Sequence, residues 1–117
     1  MKDLAPDIVR RRLLIEGLYS KTVDQAAVET YLIEVAAHLG LRTYGRPIVH
    51  APDAGKPENQ GFDAFIPLID SGISLYVWSA RQFFAVVVFS CKDFDMNAAL
   101  HFTRDFFAAT ALEHRPF

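Results

Sequence analysis

Apolar and polar residues change their spacing several times along this chain, and each change marks an element. Leu13-Leu14-Ile15-Glu16-Gly17-Leu18-Tyr19 is a short apolar run closed by polar residues, which predicts a strand. Glu16 and Gly17 interrupt it in a way that a purely structural strand would not require. Thr22 and Gln25 form a capping box, and Val28, Leu32, Val35, Ala36 and Leu39 then recur at helical spacing until Gly40 supplies a left-handed cap. Residues 41–50 read as a second strand that Gly45 and Pro47 confine to a sheet edge or a bulge. Residues 51–61, dense in Pro, Gly, Asp and Asn, read as a loop, more an insertion than a functional lid.

Beyond that loop, Phe62 to Ile69 predicts a third strand with Pro67 near its end. Ile73 to Ser79 predicts a fourth, alternating Ile73, Leu75 and Val77 with Ser74, Tyr76 and Trp78. Phe83 to Ser90 is almost wholly apolar, which fits a central strand covered on both faces. Asp95 is placed to cap a second helix in which Met96, Ala99, Leu100, Thr103 and Phe107 share a face, and Thr110 to Arg115 suffices for a closing strand. Arg104 and Asp105 belong to that helix's exposed side. Helices interspersed with a mainly antiparallel sheet make a two-layer α+β sandwich. Residues 1–11 are expected to be an N-terminal arm and 12–117 a single domain.

Composition adds an expectation about assembly. A chain of 117 residues has room for one core. Ten Phe in a chain that is 51% hydrophobic suggest that some apolar surface is buried against another subunit, most simply in a homodimer. Twelve Lys and Arg against 14 Asp and Glu give a net charge of -2, and Arg10-Arg11-Arg12 reads as a solvated edge, so no nucleic-acid partner is expected. Cys91 is the single cysteine, the N-terminus has no apolar signal core, and no run approaches the roughly 20 apolar residues of a membrane helix. The expectation is a cytoplasmic protein with no membrane partner. His38, His50, His101 and His114 show no metal-ligand spacing, so no metal is expected, and there is neither a Gly-rich phosphate loop nor a GxSxG elbow.

The candidate chemistry sits at Asp70-Ser71-Gly72, between two apolar runs that must pair. Such a corner is either ordinary turn chemistry or a place where the backbone itself reacts. Leu68-Ile69-Asp70-Ser71 followed by Leu75-Tyr76-Val77-Trp78 resembles the cleavage corner and following strand of the small bacterial S-adenosylmethionine decarboxylases of polyamine synthesis. Leu13 to Tyr19 looks like that family's first strand, and Cys91, 20 residues beyond Ser71, stands at the spacing of its catalytic cysteine. The resemblance follows element order over most of the chain and is specific over residues 62–95.

This resemblance implies an S-adenosylmethionine decarboxylase-like sandwich with both helices on one face. It implies cleavage between Asp70 and Ser71, Ser71 as precursor of a pyruvoyl cofactor, Cys91 as proton donor, and Glu16 near the substrate. The pyruvoyl carbonyl would act as electron sink through a Schiff base with the substrate amine. Three positions depart from the family's pattern. Tyr76 stands where a histidine drives elimination of the ester, and a phenol of pKa about 10 is no base near neutral pH. Ala80 replaces a glutamate that holds ribose hydroxyls, and Asp63 replaces a serine that assists processing.

Plain alternatives stay open at each residue: a turn serine at Ser71, a buried small hydrophobe at Cys91, a core aromatic at Tyr76, and a solvated carboxylate at Asp63 rather than a substitute base. Three functions follow. One is a self-processing decarboxylase of an amino-acid-type substrate such as S-adenosylmethionine, ornithine or arginine. Another is a non-processing homologue serving as a regulatory, binding or structural subunit, in a homodimer or with a related subunit. The last is an unrelated α+β ligand-binding domain.

Overall fold

A computed structural model describes residues 1–51 and 60–117. Most of the expected loop at 51–61 therefore lies outside the described residues. Six strands form one antiparallel sheet: β1 (Arg11–Leu18), β2 (Ile48–His50), β3 (Gly61–Leu68), β4 (Ser71–Trp78), β5 (Phe83–Ser90) and β6 (Ala111–Pro116), in spatial order β2-β3-β4-β5-β1-β6. Helices α1 (Gln25–His38) and α2 (Met96–Phe107) cover one face. The α+β sandwich expected from the sequence is the fold observed.

Strand alternation decides which side chains meet the helices. Leu13 and Ile15 of β1, Ala64, Ile66 and Leu68 of β3, Ile73, Leu75 and Val77 of β4, and Phe84, Val86 and Val88 of β5 are all buried. The helices answer with Val28, Tyr31, Leu32, Val35 and Ala36 from α1 and Ala99, Thr103 and Phe107 from α2. Phe107 stacks on Phe84 at 4.2 Å and tilts against Tyr31 at 4.9 Å, which ties α2 to both the sheet and α1. Tyr31 and Thr103 share a buried hydrogen bond of 2.7 Å, and burial pushes the tyrosine hydroxyl's pKa up, so it stays protonated. Tyr31→Phe should strand the Thr103 hydroxyl and cost about 1–3 kcal/mol, measured by denaturant unfolding.

Several details differ from the sequence reading. The side chain of Asp24, not Thr22, caps α1, accepting the Ala27 N–H at 2.8 Å; Gly40 does take a left-handed φ of 69°. Residues 41–50 pair only at Ile48–His50, on the edge, with an isolated bridge from Thr43 to Leu68. Gly17 has a structural reason: a Cβ there would stand 2.8 Å from both the Ala111 carbonyl oxygen and the Phe84 ring. Gly17→Ala should therefore overpack the sheet and cost about 1–3 kcal/mol, visible as a lowered Tm.

The largest difference concerns β5. Its helix-facing side is covered as expected, but its other side is not, because the second face of the sheet carries no layer among the described residues. Leu18, Phe65, Tyr76, Trp78 and Phe89 lie on that face, each between 36% and 44% exposed. Tyr76 is consequently not a core aromatic.

Candidate functional site

The β3–β4 hairpin pairs Leu68 with Ser71, leaving Ile69 and Asp70 as its two-residue tip. Tight hairpins need a positive φ at or just after the tip, and glycine ordinarily supplies it. Here neither tip residue does so, and Ser71 carries φ 128° while glycine follows one position later. A non-glycine residue held there costs on the order of 1–3 kcal/mol, a strain the surrounding ladders must maintain.

Those ladders also bring the cysteine in. Ser71 lies directly opposite Ser90 on β5, so the next residue, Cys91, arrives beside the hairpin tip. Its main-chain N–H donates to the Asp70 carbonyl oxygen at 2.9 Å. That carbonyl belongs to the peptide bond joining Asp70 to Ser71. The Cys91 side chain is exposed, not the buried hydrophobe that a lone cysteine most often is. Arg11 Nε donates to Asp93 at 2.5 Å, anchoring the segment after Cys91 to β1 and holding the Asp93 carboxyl below its ordinary pKa.

Asp70 is gripped from a third side. The Ile69 N–H donates to the Arg42 carbonyl at 2.9 Å, and an Arg42 guanidinium nitrogen lies 3.7 Å from Asp70 Oδ1. The other carboxylate oxygen, Oδ2, is buried without a hydrogen-bond partner. Arg42 was not legible as a site residue, since it precedes Asp70 by a long stretch with no periodic link to it.

The remaining candidates form a separate group. Strand pairing sets Asp63 opposite Tyr76, Tyr76 opposite Ala85, Ala85 opposite Glu16 and Glu16 opposite Glu113, a row across the uncovered face. Tyr76 is five residues along β4 from Ser71, about 16 Å at roughly 3.3 Å per residue. The structure thus brings Asp70, Ser71 and Cys91 together and sets Asp63, Tyr76 and Glu16 apart from them within the protomer.

Two of the cavities near the row bear on the candidate residues. One of about 360 Å³ is lined by Leu18, Trp78, Arg81 and Phe83, beside the turn that carries Ala80 and at the far end of β4 from Ser71. The other, about 280 Å³, is lined by Leu14, Glu16, Glu113, His114 and Arg115. Among the described residues no three His, Cys, Asp or Glu side chains are grouped to hold a metal ion, and no helix is long and apolar enough to cross a membrane.

Residues 14–116 match the family model described as S-adenosylmethionine decarboxylase. None of the curated proteins matches the chain. Among solved structures, the adenosylmethionine decarboxylase from Aquifex aeolicus VF5 superposes with a TM-score of 0.75 at 13% sequence identity, covering 94% of this chain and 89% of that one. At that identity the likeness concerns the fold.

Proposed function

The chain belongs to the S-adenosylmethionine decarboxylase family, and from that premise we propose that it processes itself at Asp70-Ser71 and then decarboxylates an amino-acid-type substrate of polyamine metabolism. The observation that carries this reading is the 2.9 Å hydrogen bond from the Cys91 N–H to the Asp70 carbonyl oxygen, next to a serine at φ 128°. A donor aimed at the carbonyl oxygen stabilises the charge that grows there when a nucleophile adds.

In the processing step, Ser71 Oγ bonds to the Asp70 carbonyl carbon, the Asp70–Ser71 C–N bond breaks, and the hydroxyl proton moves to the released nitrogen. The strained φ favours this exchange, since cleaving the peptide releases it. Elimination of the resulting ester, followed by addition of water and loss of ammonia, leaves residues 1–70 with a new carboxylate and converts residue 71 to pyruvoyl. The residues fit the group: the hydroxyl and the polarised carbonyl flank one peptide bond, and the residue whose main-chain N–H binds that carbonyl carries an exposed thiol. When formed, the pyruvoyl group supplies an electron-accepting carbonyl for loss of carbon dioxide from an α-amino acid.

Cys91 Sγ then holds the proton returned to the substrate carbon. Cys91→Ala should leave processing intact, because alanine keeps the main-chain N–H, while lowering carbon dioxide release by roughly 10²-fold or more. The Ala80 side chain offers no hydrogen-bond acceptor beside the Trp78 cavity, which favours a substrate smaller than a nucleoside. Its single free cysteine suits a reducing compartment such as the cytoplasm. The uncovered apolar face is the natural seat of a second copy or a related subunit.

Labelling the purified chain with a carbonyl-reactive hydrazine, then assaying carbon dioxide release from S-adenosylmethionine, ornithine and arginine, tests the reading. Label on the fragment beginning at residue 71, with turnover of one substrate, is expected; an unlabelled, inactive chain would contradict it. A second reading, a non-processing regulatory, binding or structural subunit, draws on the separation of Asp63 and Tyr76 from Ser71, which leaves neither side chain within its protomer to serve the ester.

A further inference from the structure

We infer that the base for ester elimination is the carboxylate of Asp70 itself, an assignment that rests on the proposed self-processing. Elimination requires removal of the proton on Cα of residue 71, and the pattern's usual imidazole is absent: position 76 is tyrosine, on the far part of the uncovered face. The four histidines are all exposed, and none falls within residues 69–71, at the Ser71 ladder partners 68 and 90, or at position 91.

The groups beside Ser71 narrow the choice. Ser90, directly opposite, is buried, and its Oγ already accepts the Lys92 N–H at 2.9 Å. Asp70 differs from it. Its side chain is only 15% exposed, Arg42 stands on Oδ1 at 3.7 Å, and Oδ2 is buried with no donor. It is the one side-chain oxygen among the described residues found in that condition. A buried carboxylate oxygen left without a donor is disfavoured unless something else uses its lone pair.

The transfer balances within the hairpin. Asp70 Oδ2 takes the Cα proton of residue 71, a double bond forms between Cα and Cβ, and the Cβ–O ester bond breaks. Its electron pair leaves on the new α-carboxylate of Asp70. Arg42, held across the tip by its own carbonyl's bond to Ile69, keeps the side chain's other oxygen engaged, so that Oδ2 is the free end.

The experiment follows two species in the full-length chain with time: mature fragments by intact mass, and the ester by its cleavage with hydroxylamine. Asp70→Asn should slow mature fragments by roughly 10²-fold or more while hydroxylamine-sensitive ester accumulates. Asp70→Glu keeps a carboxylate and should still mature, which guards against an asparagine variant that fails to fold. Asn maturing at the wild-type rate, Asn losing ester formation as fully as elimination, or Glu proving as inert as Asn would each overturn the assignment. A wild-type chain that stops at the ester would overturn it too, yet leave Ser71 as nucleophile. A wild-type chain with neither ester nor fragments would remove the underlying reading along with it.

Discussion

Ser71→Ala should remain a single uncut chain under conditions in which the wild type matures, with no hydroxylamine-sensitive bond and no carbonyl to label. The effect is all-or-none because, in the proposed processing, the hydroxyl is the nucleophile and no neighbouring group can replace its bond to Cβ. Ser71→Gly adds a control for backbone strain. Glycine accepts φ 128° freely, so this variant should also stay uncut while folding at least as stably as Ser71→Ala. Cleavage of either variant at position 70 would assign the break to something other than the serine. The comparison is read by intact mass and thermal melting.

Val87→Asp should break the proposed face-to-face dimer while sparing the fold. Val87 sits at the centre of the uncovered face, between Leu14 on β1 and Ser74 on β4, with Phe89 on the same side of β5. Leu18, Phe65, Tyr76, Trp78 and Phe89 are part-exposed on that face, and clustered exposed apolar side chains mark interaction surfaces. In a two-fold face-to-face dimer each copy would bury one unpaired carboxylate, at about 3–5 kcal/mol apiece, loosening association by at least roughly 10⁴-fold. In the monomer the same side chain reaches water, so the melting transition should persist. Sedimentation or light scattering reads the mass. An unchanged dimer in the variant would assign the interface to another surface, and a monomeric wild type would leave the face uncovered in solution.

Much of the architecture was legible because the chain obeys simple spacings. Four apolar runs, the edge segment 41–50 and the closing stretch 110–115 predicted the six strands, the period of α1 and α2 gave both helices with their buried faces, and the Asp95 cap stands as read, accepting from Ala98. The adjacency of Asp70, Ser71 and Cys91 was implied by the family resemblance, and the strand pairing explains it. Twenty residues with a short turn midway fold back antiparallel, which returns Cys91 to the hairpin tip. The same arithmetic separates Tyr76 from Ser71: an odd step along a strand reverses the side chain, and five residues carry it well down the sheet. Resemblance had grouped these residues by role, whereas strand geometry divides them within the protomer.

Other features left no local trace. Arg42 reaches Asp70 only because residues 42–44 bond to the β3–β4 tip, with the Tyr44 N–H donating to Pro67 and the Arg42 carbonyl accepting from Ile69. The pairing of Glu16 with Glu113 needed the register of β6. The apolar composition of β5 pointed to cover on both sides, whereas the described residues supply a layer on one side only.

Intact mass of the wild-type chain under denaturing conditions tests self-conversion of Ser71 most directly. Two fragments are expected, the larger comprising residues 1–70, with masses that sum to the chain plus one water less one ammonia. One undivided species of full mass, persisting through long incubation of folded protein, would contradict it.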